Sequence, residues 1–276
     1  MQYRQLGRTG VSLSVLGVGG GALGLTKAGD EGAAAILSRA LALGITCVDT
    51  ATAYGRGISE ERIGRWLPGR RDRVFLATKL DQCDHEPAAR ELRESLARLG
   101  TETIDLVQVH AVNDSATLDR ILGAGGVVAA LEEARAAGAV RFIGITGHRD
   151  PDILRQALER YDFDTVLMPA GCMDGSEFLD AVGPLARERG TGLLGMKVFG
   201  HGAIAAAGQP ALVYALGQAV SSLVIGMNSL AELEENAQTA AGMPMFANDE
   251  RARLAELARE ARTPERQWWR HELAAV

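Results

Sequence analysis

What most constrains this chain is a regular alternation of short, nearly continuous apolar runs with longer stretches of helical period. The strand candidates are LSVLGVG (13–19), GITCVDT (44–50), RVFLATK (73–79), IDLVQVH (104–110), VRFIGIT (140–146), DTVLMP (164–169), GLLGMKV (192–198) and SSLVIGM (221–227). Runs with little polar interruption suit strands covered on both faces, as in a parallel sheet. Between them lie helix candidates. Segment 30–44 has an acidic start, an apolar stripe and a Gly stop, and 86–100 repeats that formula with Leu92, Leu96 and Leu99 on one face. Further candidates are 57–67, 126–138, 151–160, 176–189, 209–218, 229–241 and 248–262. Repeated strand–helix units without a composition break predict an α/β fold: one closed (β/α)8 TIM barrel forming a single domain over 1–276. The opening segment YRQLGRTGVSLSVLG turns at Gly7–Gly10 between short alternating runs and reads as a β-hairpin preceding the barrel.

A doubly wound sheet is the structural rival. It usually carries a phosphate-binding G-x-G-x-x-G after its first strand. GVGGGALG (17–24) is glycine-rich at that place but lacks the spacing and the following acidic residue. At 276 residues the chain buries a large core without disulfides or metal. A net charge of −6 and the lack of a basic block argue against nucleic acid. Cys47, Cys83 and Cys172 are odd in number and form no Cys-x-x-Cys pair, as in a reduced chain. MQYRQLGRTG has no apolar signal core, and no run is long enough to cross a bilayer. The expectation is a cytoplasmic protein that engages no membrane. The sequence does not speak to its oligomeric state.

In such a barrel, chemistry collects where strands end and the following loops begin. Strand two ends at Asp49, strand three at Lys79 and strand four at His110, while Tyr54 follows strand two in its loop. Three neighbouring strands thus deliver polar groups to one rim. A phenol ionises only near pH 10, so it donates a proton at neutral pH only if its anion is stabilised. A buried ammonium supplies that, and a carboxylate keeps the ammonium charged. A neutral imidazole then orients a carbonyl. The set is a proton-donating site for carbonyl reduction, and it needs a cofactor as hydride source.

VDTATAYG with Glu60–Glu61, LATKL, LGTETIDLVQVH, VRFIGIT and VIGMNSLAELEENAQTA together resemble the aldo-keto reductase superfamily over nearly the full chain. The resemblance implies Tyr54 as general acid/base, Lys79 and Asp49 as its tuning pair, and His110 as the group that orients a small carbonyl or sugar substrate. It also implies NADP(H) or NAD(H) across the C-terminal mouth, in a site that takes in Gly20, Asp49, Gly200, Gly226 and Met227.

The departures from the family pattern fall on the cofactor side. A family Ser-Asn pair that holds the carboxamide reads Thr146 and Gly147 here. A family Gln aligns with Leu167. The aromatic that stacks on nicotinamide aligns with Met196, and Lys197 beside it is within reach of the pyrophosphate. Glu235 and Asn236 fit the adenine contact. Where many NADPH-dependent members carry Arg, this chain has Glu232, which repels a 2′-phosphate, although Asn228, Ser229 and the helix start beside them donate to one. The loop at 200–210 is short, which predicts an open site with fast cofactor exchange.

Alternative readings exist. A barrel with these altered contacts can persist as a nicotinamide-binding regulatory protein with weak turnover. His148 and His201 fall in mouth loops and, with His110 and Asp49, raise a metal-dependent barrel hydrolase as the more distant alternative. No His-x-His follows strand one, and Lys79 puts a charge where a metal would sit, so no metal ligand is assigned. Glu60 and Glu61 read as first-turn acids that favour a helix dipole. Cys47 reads as strand core, and Cys172 and Met173 as loop or pocket lining. Trp268 and Trp269 read as anchors of the C-terminal tail.

Overall fold

Alternation along each strand sends one set of side chains inward and the other out toward the helices. A computed structural model describes residues 1–25, 29–242, 244 and 248–270. In it β3 (Leu16–Gly19), β4 (Cys47–Asp49), β5 (Phe75–Leu80), β6 (Ile104–Val109), β7 (Val140–Thr146), β8 (Thr165–Pro169), β9 (Gly192–Met196) and β10 (Ser222–Ile225) form a closed parallel barrel. The strands run round it in chain order, and β10 closes it by pairing Leu223 with Leu16. Cys47, Phe75, Ala77, Leu106, Leu167 and Leu194 point inward and pack on one another. The opposite faces, among them Val18, Val48, Leu76, Val107, Ile143 and Val166, pack with helix residues such as Ile36, Ile63, Leu92, Leu131, Leu154 and Leu233. Each such aliphatic side chain contributes roughly 1.5–3 kcal/mol by leaving water.

The predicted hairpin is present. β1 (Tyr3–Gln5) pairs antiparallel with β2 (Ser12–Ser14) across a short 3-10 turn, Gly7–Thr9. It stoppers the lower end of the barrel, because Leu6 and Leu13 join the inward-facing cluster and are buried there. Gly7 permits this docking. Its φ is +51°, and a Cβ on it would lie 2.3 Å from the Gly190 carbonyl oxygen. Arg4 fixes the hairpin by donating to the carbonyls of Leu216, Gln218 and Val220.

The outer layer comprises α2 (Gly29–Ala42), α3 (Ile58–Trp66), α4 (His85–Leu99), α6 (Val127–Ala136), α7 (Pro151–Arg160), α8 (Gly175–Arg189), α9 (Gln209–Leu216), α10 (Leu230–Gly242) and α11 (Asn248–Ala261), matching the expected helices. Two further helices lie outside that expectation, α1 (Gly20–Leu25) and α5 (Ser115–Leu122). No helix among the described residues is long and apolar enough to cross a membrane.

Candidate active site

All barrel strands run parallel, so their C-terminal ends share one rim. Asp49 ends β4, and Lys79 projects inward from β5 one position short of its end; both are almost wholly buried. The Lys79 ammonium donates to Asp49 Oδ1, to the Thr50 carbonyl at 2.8 Å and to the Tyr54 hydroxyl at 3.3 Å. Burial pulls the Lys79 pKa down, but the Asp49 carboxylate and Tyr54 outweigh it, so the net shift is upward and the ammonium is retained. Gln108, paired in register with Lys79 on the next strand, donates at 2.8 Å to the other Asp49 oxygen. Asp49, Lys79 and Tyr54 therefore form one bonded chain.

The loop carrying Tyr54 is held from below. Thr50 donates to Ser59, and Ser59 donates to the Gly20 carbonyl, each at 2.8 Å. α1 lies against this loop closely enough that a Cβ on Gly24 would meet the Tyr54 carbonyl oxygen at 2.9 Å. Glu60 corrects the expectation of a simple first-turn acid. It is fully buried, accepting from Thr78 at 2.6 Å and from Arg98 at 2.7 Å, and so ties the start of α3 to β5 and α4. Glu61 keeps the surface role and pairs with Arg65 at 3.0 Å, one helical turn on.

His110 follows β6 and faces Tyr54 edge-on, with ring centroids 6.0 Å apart. Its Nδ1 lies 2.7 Å from Asp81 Oδ1. Ala111 next to it has φ +52°, a conformation costing a non-glycine residue about 1 kcal/mol. The Ala111 N–H donates at 2.7 Å to the Thr146 hydroxyl oxygen across the rim. The structure thus gathers Asp49, Tyr54, Lys79 and His110. Sequence reasoning missed Gln108, Asp81 and the Glu60 strut. The period-two relation of Gln108 to His110 and of Asp81 to Lys79 was the available signal.

The expected cofactor residues lie on the same rim, toward β7–β10. Thr146 is buried at the end of β7, and its hydroxyl makes no hydrogen bond as donor to a described residue, which suits a carboxamide oxygen. Gly147 packs tightly: a Cβ there would meet the Val112 carbonyl at 2.8 Å. Gly20 is buried at the start of α1, and Gly200 is buried in the loop after β9. Met196 is half-buried at the end of β9. Gly226, Asn228, Glu232 and Glu235 are exposed at the start of α10, with Met227 buried and Ser229 and Asn236 half-buried. Glu232 caps this helix. Its carboxylate accepts from the Asn228 N–H at 2.8 Å, while its own N–H donates to Ser229 Oγ at 3.2 Å.

Lys197 sits in the left-handed region at φ +58°, with its ammonium 4.4 Å from the Trp269 ring centroid and 5.7 Å from that of Trp268. Burial pulls its pKa down to about 7, against a smaller pull upward by Asp174. His148, whose Nδ1 lies 3.3 Å from the Trp269 carbonyl, is pushed down to about 3, first by burial and then by Lys197. His201 stacks near both indoles and is pushed down to about 4 for the same reasons. The tail is pinned by Gln267 to Asp174 at 2.5 Å and by Arg270 to Glu177 at 2.6 and 2.8 Å. The tryptophans do anchor the tail, and Trp269 does so at 2% exposure on the mouth side of β9. The short loop at 200–210 therefore does not leave the rim open there, because the tail covers Lys197. Among the described residues no three His, Cys, Asp or Glu side chains gather as a metal ion would need. Cys47 is buried inside the barrel, and its thiol is pushed up chiefly by burial.

Fold and rim together define a (β/α)8 barrel with a buried ammonium–carboxylate pair bonded to a half-buried phenol at its C-terminal mouth. The Aldo/keto reductase family model matches residues 15–210, and the chain belongs to that family, whose members are oxidoreductases that use nicotinamide cofactors. The chain is 31% identical over 186 residues to the uncharacterized oxidoreductase YqkF of Bacillus subtilis, covering 63% of this chain and 58% of that one. It is 28% identical over 282 residues to L-galactose dehydrogenase of Arabidopsis thaliana, covering 86% and 87%. The fold is similar to that of aldo-keto reductase AKR11C1 from Bacillus halodurans in its holo form, with a TM-score of 0.76 at 23% identity, covering 97% and 99%.

Proposed function

We propose that the chain acts as one barrel domain that interconverts a small carbonyl compound and the corresponding alcohol, with Tyr54 as general acid/base and NADP(H) or NAD(H) as cofactor. The single observation that carries this reading is the Lys79 ammonium, bonded at once to Asp49 and to the Tyr54 hydroxyl. When bound, the nicotinamide cofactor supplies or accepts the hydride at the carbonyl carbon. Tyr54 gives its proton to the oxygen in reduction and takes one back in oxidation. The positive charge of Lys79 stabilises the phenolate left behind, and Asp49, steadied by Gln108, keeps that charge in place. His110, at the edge of the Tyr54 ring, orients the substrate oxygen. Thr146, Met196, Lys197 and the exposed start of α10 are the residues that would hold the cofactor. Substrate is an aldehyde, ketone or sugar; the relation to a protein named L-galactose dehydrogenase favours testing sugars first.

The decisive variant is Tyr54→Phe. It is expected to lower turnover by roughly 10²–10⁴-fold while leaving cofactor affinity near that of the wild type. Wild-type-like turnover in that variant contradicts the reading. Separate fluorescence titrations with NADH and NADPH decide between the cofactors, with the Glu232 carboxylate favouring NADH. A weakly active nicotinamide-binding barrel is the second reading, and the tail over Lys197 is the observation in its favour. Steady turnover on a panel of aldehydes and aldoses separates the two.

A further inference from the structure

The inner faces of five strands carry one continuous row. Lys79, Gln108, Gly144, Thr165 and Gly192 lie in register on β5 to β9. Strands tilt in a closed barrel, so the row descends from Lys79, near the end of β5, to Thr165 and Gly192, the first residues of β8 and β9. At its lower end Leu6 of the hairpin fills the space in front of Gly192, where a Cβ would lie 2.6 Å from Leu6 Cδ1. At its upper end Lys79 and Gln108 both turn to Asp49. An ionised carboxylate only accepts, so Gln108 presents its NH2 to Asp49 and turns its carbonyl oxygen, Oε1, the other way.

Two atoms of this row, Gln108 Oε1 and Thr165 Oγ1, have no hydrogen-bond partner among the described residues. Both residues are fully buried. They flank one glycine. A Cβ on Gly144 would lie 2.3 Å from Thr165 Oγ1 and 3.0 Å from Gln108 Cγ, while Leu106 Cδ1, 3.2 Å from the same point, offers neither of them a polar contact. Gly144 is not in the left-handed region, so contact with these side chains, and not backbone conformation, calls for glycine there. An amide carbonyl and a hydroxyl buried without partners are both unfavourable, and one water answers both.

We infer that a water molecule is bound inside the barrel at Gly144, accepting from the Thr165 hydroxyl and donating to Gln108 Oε1, and that Thr165 is thereby a positioning residue for the rim. The bonded row then runs from Thr165 through the water to Gln108, Asp49, Lys79 and Tyr54. Each bond polarises the next. A satisfied Oε1 makes the Gln108 NH2 a stronger donor to Asp49, and Asp49 holds the Lys79 charge beside the phenol. The catalytic consequence rests on the proposed carbonyl–alcohol chemistry; the water itself does not.

A crystal structure of the full chain, at a resolution that shows ordered water, is expected to place one peak at about 2.7–3.2 Å from both Gln108 Oε1 and Thr165 Oγ1. Two ordered side chains without that peak, or a direct bond between them, overturn the inference. Thr165→Val keeps the shape of the side chain and removes the hydroxyl. Its urea midpoint is expected to fall, because Gln108 Oε1 loses its bonded neighbour. A higher midpoint is the result of deleting a hydroxyl that has no partner, and it overturns the inference as well. In steady-state kinetics with whichever aldehyde or aldose turns over, Thr165→Val is expected to lower kcat by roughly two- to tenfold with KM unchanged, and Thr165→Ser to restore it. A wild-type kcat in Thr165→Val, or a loss that Thr165→Ser does not recover, overturns the positioning role. Absence of wild-type turnover on the whole panel overturns the functional reading instead, and the density and the urea midpoint still decide whether the water is bound.

Discussion

Two lysines stand at the same rim, and their surroundings act in opposite directions. Lys79, between β4 and β6, has a carboxylate, a carbonyl and a phenol within reach, and its charge is held. Lys197, after β9, has indole faces and distant Asp174, and burial brings its pKa to about 7. Burial weakens a charge only when nothing answers it. The β4–β6 side is therefore a fixed electrostatic device, whereas the β7–β10 side is a set of donors partly covered by the tail and ready to change partners.

The largest effect that can break this contrast is expected from Lys79→Met. Turnover falls by roughly 10²–10⁴-fold, and stability falls by roughly 3–5 kcal/mol because the buried Asp49 carboxylate loses its counter-charge. Steady-state rates and urea unfolding measure both, and a stable variant would show that the pair is not coupled as described. Next comes Glu60→Gln, which removes the charge beneath the Tyr54 loop. Its expected cost is about 1–3 kcal/mol in urea unfolding, with a lower kcat and unchanged cofactor affinity.

The pH dependence of stability sharpens the contrast, since the two lysines give opposite signs. Lys79 is raised above 10.5, so its stabilisation is complete below that pH and is lost as pH climbs through the higher folded value. Lys197 is lowered, so between about 7 and 10.5 the unfolded chain binds the proton that the folded chain has shed. Its contribution therefore rises with pH across that window, and Lys197→Met flattens the melting temperature there. His148 and His201, lowered to about 3 and about 4, act with the same sign below 6.5: stability is lost as the medium is acidified. The smallest effect is Trp269→Leu. It removes a cation–π contact worth about 0.5–1 kcal/mol from Lys197, and cofactor affinity rises by about two- to fivefold by titration. Unchanged affinity would place the tail outside the cofactor's path.

The β4–β6 side is also the more legible in sequence. Each strand there ends in one polar residue after an apolar run, so strand ends and chemistry are marked by the same letters. Asp81 and Gln108 are marked only by lying two positions from Lys79 and His110, which places them on the same face; their partners lie far along the chain, and no local pattern names them. Glu60 reads by its place in a helix turn, which cannot reveal Arg98, 38 residues away. α1 escapes because GGALGL has poor helix propensity, and its glycines are set by contact with the Tyr54 loop. α5 is short, though Asp114 capping Thr117 at 2.8 Å is a local sign. The tail's position depends on contacts with Asp174 and Glu177, more than ninety residues before it, and no local pattern encodes those.

The hairpin has a consequence for how the molecule is made. Arg4 is bound by carbonyls of residues 216 to 220, and Leu16 pairs with Leu223. During synthesis, the β3 edge has no β10 partner until residues 222–225 have been made. The seam between β3 and β10 therefore closes only once both segments exist, and the rim is complete only when these two distant parts of the chain meet.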